Sequence, residues 1–215
     1  ATRDTQDARL VRETLDRHTH LAPGNHAHDR VAFNAVRLES DHMASRGAAY
    51  LDRARSELPR DPDARQAMQF DIAAQQLDLS SYWSRSTDLA AQGFGLRRGA
   101  EERLQRSVGF VAEADAARAN FTAGSPERLA LASEVVRARS EVATVYADYD
   151  NGAAATNLDA AEATHDEDLA GDSVRSARAR GQIGVAGTAS LLRHDARFDA
   201  VADAGNYDPQ ANDRM

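Results

Sequence analysis

Residues 125–152 read SPERLALASEVVRARSEVATVYADYDNG, and this stretch sets the pattern for the rest of the chain. Ser125 is a good N-cap, and Pro126 suits the first turn of a helix. An Asp-Asn-Gly turn at 150–152 breaks the chain again. The residues between these signals are rich in alanine and valine and lack the alternation of a strand. The stretch therefore predicts one helix bounded by turn residues.

The same pattern recurs along the chain, where prolines, glycines and polar turns separate long helical segments. We expect helices at about 5–20, 29–58, 63–91, 97–121, 126–150, 156–180 and 188–204, with a flexible turn at 181–187. The predicted fold is all-α, an antiparallel bundle of six or seven helices. It forms a single helical domain over residues 1–204, followed by a polar tail at 205–215.

A faint internal repeat accompanies this pattern. Pro62 and Pro126, Ile72 and Val136, and Tyr82 and Tyr146 recur at one constant spacing. The recurrence suggests a duplicated helical hairpin.

Composition limits the chemistry. All 26 basic residues are arginines and cysteine is absent, so neither lysine nucleophiles nor thiolates are available. The formal charge is −8, with both signs interleaved, which argues against nucleic acid as the main partner because phosphate binding needs a concentrated basic face. No phosphate loop and no Gly-x-Ser-x-Gly elbow occur.

The sequence shows no apolar run of the roughly 20 residues that a membrane helix needs, and no signal peptide. It does not distinguish the cytoplasm from the periplasm or the extracellular space. Aromatic residues make up only 6% of the chain. A polar chain with so few large side chains favours a protein partner or a homo-oligomer that completes its core.

Two Glu-x-x-His tetrads are the clearest chemical feature. They are Glu39 with His42 and Glu162 with His165, and residues three apart lie on one face of a helix. Helix rise places Glu141 level with Glu162 across the turn at 150–152. Asp7 and Glu13 flank the position level with Glu39, and we take Glu13 as the sixth candidate. The predicted metal ligands are Glu13, Glu39, His42, Glu141, Glu162 and His165.

This ligand spacing resembles that of ferritin-like di-iron carboxylate proteins with extra helices between the two ligand pairs. The resemblance covers roughly residues 7–165 and rests on spacing alone. It implies a dinuclear iron or manganese site with His42 and His165 as terminal ligands, the glutamates as bridging and terminal ligands, and oxygen-dependent redox chemistry.

The alternative is a non-catalytic helical interaction or structural subunit. Charged residues surround both tetrads, with Arg46 one turn after His42 and Asp166 beside His165. On this interpretation the tetrads are solvated helix faces that carry stray histidines.

Four histidines around the Pro23-Gly24 turn form a second candidate metal site: His18, His20, His26 and His28. Imidazoles clustered on a loop can bind zinc, copper or nickel without any enzymatic role. The alternative is a polar loop between helices.

Residues 179–201 also resemble the helix–turn–helix at the periplasmic tip of outer-membrane efflux channels. Arg180 and Gly184 match the Arg-x-x-x-Gly of that family. The resemblance implies a fragment related to such a channel, although those channels are much longer and the sequence shows no convincing barrel strands.

Overall fold

The structure is a computed structural model that describes residues 26–94 and 99–203, with side chains described over 37–88 and 99–193. Six α-helices and one π-helical segment account for its regular structure. They are α1 His26–Ser56, α2 Pro62–Phe94, α3 Ala100–Arg118, α4 Pro126–Tyr146, α5 Asn151–Thr164, the π segment His165–Leu169 and α6 Ser173–Asp203. No strand occurs in the described ranges, so the all-α prediction is confirmed there. The helix predicted at 5–20 and the tail at 205–215 lie outside them.

The ends of α4 follow from its flanking sequence. Pro126 is the first residue of the helix, and the Ser125 hydroxyl accepts a hydrogen bond of 3.2 Å from the Arg128 backbone N–H. Asp150 caps α5 in the same way, because its Oδ1 accepts from the N–H groups of Gly152 at 2.8 Å and Ala153 at 3.1 Å. These side chains bond backbone donors that the first turn of a helix leaves unpaired.

The predicted turn at 181–187 is wrong, since these residues lie inside α6. The break falls earlier, after the π segment, where Asp172 caps α6 through bonds from the N–H groups of Val174 and Arg175. Glycines at 181, 184 and 187 disfavour a helix locally, but that preference is weak enough for tertiary packing to override. The buried Ala179 and Ala186 supply such packing on α6. Consequently α5 is shorter and α6 longer than the sequence predicts.

The chain divides into two compact units, one ending at Phe110 and the other beginning at Val111. The second unit has a core of small residues. Ala132 and Val136 of α4, Ala161 of α5, Leu169 of the π segment and Ala179 of α6 pack together there. Small side chains bring these helices close and bury little apolar area per residue.

In the first unit, α1 packs against α2, and the core is again modest. Leu51 of α1, Leu77 of α2 and Leu104 of α3 are buried. The buried hydroxyls of Ser80 and Ser107 form a 2.8 Å hydrogen bond between α2 and α3. Polar atoms are thus paired where these helices meet, which limits the cost of burying them.

Three larger-scale predictions stay predictions: the single domain over 1–204, the antiparallel bundle and the duplicated hairpin. Pro62 and Pro126 do each begin a helix, and Ile72 and Val136 are both buried. Among the described helices, none is both long and apolar enough to cross a bilayer.

Candidate functional site

The second tetrad lies where α5 passes into the π segment. Glu162 is exposed, whereas His165 is only 3% exposed. Both ring nitrogens of His165 have side-chain partners: Nδ1 lies 2.8 Å from Asp166 Oδ1, and Nε2 lies 2.8 Å from Ser176 Oγ on α6. A metal ion on Nε2 would therefore have to replace the Ser176 hydroxyl.

Glu141, the carboxylate predicted to lie level with Glu162, forms an ion pair with its own helix. Arg137 Nη1 donates to Glu141 Oε1 at 2.7 Å, and Arg137 Nε donates to Glu134 at 2.7 Å. This carboxylate is already matched by a positive charge one turn away.

The first tetrad lies on α1, where Glu39 is partly buried and His42 is exposed. Glu13, His18 and His20 lie outside the described residues. His26 and His28 fall in the first turn of α1, but their side chains lie outside the described part. Among the described residues, no group of three or more His, Asp or Glu side chains could hold a metal ion. The dinuclear site and the histidine site stay predictions.

Asp41, inside the first tetrad, is the centre of a polar cluster. Tyr82 donates to its Oδ1 at 3.0 Å, while Arg103 at 3.1 Å and Arg37 at 3.3 Å donate to its Oδ2. Burial raises the pKa of the Asp41 carboxyl, and the Tyr82 hydrogen bond and the Arg37 charge oppose that rise. Burial and the charge of Asp41 raise the pKa of the Tyr82 hydroxyl. The Arg37–Asp41 spacing is the only signal of this cluster in the sequence, because Tyr82 and Arg103 come from other helices.

Two cavities adjoin this cluster within the first unit. One, of about 450 Å³, is a mainly apolar groove between α1 and α2 with Met43, Ala44, Leu51 and Leu79 in its wall. The other, of about 440 Å³, has several charged side chains in its walls. Its walls include Arg37, Asp41, His42, Trp83, Arg103 and Arg106.

A second ion cluster fixes the π segment. Asp168, whose side chain is 3% exposed, accepts hydrogen bonds from Arg118 of α3 and, at 2.8 Å, from Arg128 of α4. Glu167 accepts from the same two arginines at 2.8 and 2.6 Å. We call these contacts of Asp168 and Glu167 with Arg118 and Arg128 the π clamp. Arg118 also pairs with Asp115 at 2.9 Å, and Asp115 pairs with Arg139 at 3.0 Å, so three carboxylates balance three guanidinium groups, as in a structural ion cluster.

The outer face of α6 carries unusual apolar exposure. Val174 is 77% exposed, Val185 72%, Leu191 70% and Leu192 65%. In the described part of the chain only two other large apolar residues, Leu38 and Tyr50, are exposed, and both lie on α1. Sequence reasoning missed this face because it placed a turn inside it.

Comparison with known proteins adds no identification, since no family model, no curated protein and no solved structure matches the chain. The resemblances to ferritin-like proteins and to efflux channels, and the expectation that nucleic acid is not the main partner, stay predictions.

Proposed function

We propose that this chain is a non-catalytic helical interaction module that docks a second copy of itself through the outer face of α6. The observation that carries the proposal is the exposure of four large apolar side chains on one helix, Val174, Val185, Leu191 and Leu192. Exposed apolar residues gathered on one element mark protein contacts more often than single ones do.

Helical geometry aligns three of these residues, whereas the fourth, Leu191, lies about 100° away around the helix axis. At 3.6 residues per turn, Val174, Val185 and Leu192 lie within about 20° of one another around the helix axis. The buried Ala179 and Ala186 lie on the far side of α6. The face is therefore directed away from the core of its own unit. It is also uncharged along its centre, where the residues between the valines and leucines are Ala177, Gly181, Gly184 and Thr188.

The glycines of α6 support a docking role. A glycine inside a helix costs about 1 kcal/mol relative to alanine. A Cβ atom at Gly181, Gly184 or Gly187 would meet nothing within 4 Å among the described residues. Packing inside the described structure therefore does not require a glycine at any of the three. A partner helix would make use of them, because a residue without a side chain lets another backbone come close.

The face is complementary to itself. In an antiparallel pair of α6 helices related by a two-fold axis between Ala186 and Gly187, Leu192 of each copy lies level with Gly181 of the other. Val185 then lies level with Thr188. Large residues therefore oppose small ones, and each match occurs twice, as an isologous interface requires.

The interface would be small. The face from Val174 to Leu192 is about 27 Å long, and a strip of this length buries on the order of 600–800 Å² in total. Stable interfaces bury about 1,200 Å² or more. The pair should therefore be weak, with a dissociation constant of roughly 10–500 µM.

Sedimentation equilibrium over this concentration range tests the proposal. The wild-type chain should shift from monomer to dimer, and Val185→Glu and Leu192→Glu should stay monomeric because each buries an unpaired carboxylate. Leu38→Glu is the matched control, since Leu38 is 56% exposed on α1 and should leave the dimer intact. Circular dichroism should find equal helicity in all four proteins. A wild-type chain that is monomeric throughout would overturn self-docking.

A further inference from the structure

We infer that Asn151 is a site of spontaneous deamidation, which the capping contacts of Asp150 keep slow while the chain is folded. Asn151-Gly152 is the only Asn-Gly pair in the sequence. Glycine after asparagine favours this reaction, because glycine has no side chain to hinder attack by its own backbone nitrogen on the asparagine side chain. The inference concerns the start of α5 and does not depend on self-docking through α6.

The reaction needs only water as a co-reactant. The Gly152 backbone nitrogen loses its proton and attacks the side-chain carbonyl carbon of Asn151. A C–N bond forms and ammonia leaves, which closes a five-membered succinimide ring. Water then adds to either ring carbonyl and opens the ring, so that position 151 becomes an aspartyl or an isoaspartyl residue. No atom is oxidised or reduced.

The reacting groups are open to solvent. Asn151 and Gly152 are both exposed at the turn between α4 and α5. Within the described part of the chain, the Asn151 amide makes no hydrogen bond that would hold its side chain in one rotamer. Water can therefore reach the ring, and the amide can rotate towards the backbone.

The backbone of α5 keeps the attacking nitrogen away from that amide. Asn151 is the first residue of the helix, and the Gly152 N–H donates to Asp150 Oδ1 at 2.8 Å. Asp150 is itself fixed, since its carbonyl accepts from the Ala154 N–H at 3.0 Å and its N–H donates to the Tyr146 carbonyl at 2.7 Å. Ring closure requires the ψ angle of Asn151 to rotate well away from its helical value, which breaks the bond from Gly152 to Asp150. Deamidation therefore proceeds when the first turn of α5 opens.

The same cap accounts for the glycine. A Cβ atom at Gly152 would lie 3.2 Å from Asp150 Oδ1, so a larger residue would crowd the capping carboxylate. The residue that suits the cap is thus the one that makes Asn151 reactive.

The isoaspartyl product would lose the cap. Its main chain runs through the former side-chain carbon and is one bond longer, which moves the N–H groups of Gly152 and Ala153 away from the Asp150 carboxylate. Helix α5 contributes Ala154 and Ala161 to the core of the second unit. Each opening of its first turn is therefore a chance of permanent damage, and isoaspartyl chains should unfold at a lower urea concentration than unmodified ones.

Peptide mass spectrometry measures the reaction, because the side-chain NH₂ is replaced by the heavier OH. At mildly alkaline pH, a synthetic peptide of residues 147–156 and the full chain in urea should deamidate at similar rates. The folded wild-type chain should be about tenfold slower or more. Asp150→Ala should raise the rate of the folded chain about fivefold. Asp150→Ser keeps a capping oxygen and should restore the slow rate, which separates capping from the charge of Asp150.

Two controls assign the signal. Asn120 is exposed in the turn after α3 but precedes the bulky Phe121, so it should stay unmodified in the same digest. Asn151→Gln should abolish the mass change, because its side chain would have to close a six-membered ring.

Two results would overturn the inference. If Asn151 does not deamidate in urea, the pair is not reactive in this sequence. If the wild-type chain, Asp150→Ala and the peptide deamidate at equal rates, the cap gives no protection.

Discussion

His165 Nε2 lies 2.8 Å from Ser176 Oγ, and this buried contact joins the π segment to α6. Asp166 Oδ1 lies equally close to Nδ1 on the other side of the ring. A histidine held on both nitrogens by side chains fixes the position of the two elements it joins. We therefore assign His165 a structural part in the second unit. Loss of one of its hydrogen bonds should lower the free energy of unfolding by a measurable amount.

Replacing Ser176 by alanine should destabilise the chain by about 1–2 kcal/mol, because a buried ring nitrogen loses its partner. Urea denaturation measures the free energy of unfolding. Ser133→Ala is the control, since among the described residues its hydroxyl bonds only the Leu129 carbonyl one turn earlier on α4. A loss no larger than that of the control would show that the His165–Ser176 contact contributes nothing.

Asp168 should be the most sensitive member of the π clamp. Asp168→Asn keeps the size of the side chain but removes the buried charge that faces Arg118 and Arg128. Breaking a buried ion pair in this way costs about 3 kcal/mol. Glu167→Gln should cost less than about 1 kcal/mol, because Glu167 is 55% exposed and solvent screens its pairs. If urea denaturation shows that Asp168→Asn and Glu167→Gln lose equal free energy of unfolding, Asp168 is not the most sensitive member of the π clamp.

The same clamp predicts how acid affects stability. The hydrogen bond and the charge of Arg118 lower the pKa of Glu167 below its ordinary value of 4.5. The unfolded chain therefore takes up the proton first as the pH falls. The stability from this group is present above pH 4.5 and is lost as the pH falls through the folded pKa.

Melting temperatures at neutral pH and at about pH 3, below the ordinary pKa, measure this loss. Glu167→Gln should narrow the difference between the melting temperatures at the two pH values. Glu57→Gln, which alters an exposed pair of the other unit, should leave that difference unchanged. An unchanged difference in Glu167→Gln would mean that the Arg118 contact does not persist in solution.

Metal analysis separates the interaction module from the dinuclear site that the tetrads predict. Chain purified without chelator or affinity tag, then reconstituted, should hold less than about a tenth of an equivalent of iron or manganese if the tetrads are structural. About two equivalents per chain would support the di-iron hypothesis. In that case His42→Ala should lower the content, because His42 is a predicted ligand that the structure leaves exposed.

The sequence predicts an element well where its signals are local. Ser125 and Pro126 begin α4 because the capping chemistry is complete within a few residues. The π segment could not be predicted, since the arginines that hold it, Arg118 and Arg128, come from distant parts of the chain. The polar cluster around Asp41 could not be predicted for the same reason, because two of the Asp41 partners come from other helices.

Gly181 provides the sharpest test of the α6 face, because docking and folding make opposite demands on it. A Cβ atom there meets nothing within 4 Å among the described residues, so Gly181→Ala should stabilise the monomer by about 0.5–1 kcal/mol. The same methyl group would push against Leu192 of the second copy and weaken the dimer severalfold. Urea denaturation at low protein concentration and sedimentation equilibrium measure the two effects separately.

Gly109→Ala on α3 is the control, since its Cβ also meets open space and should stabilise the chain without changing the dimer. If Gly181→Ala strengthens both folding and association, the proposed register of the two helices is wrong.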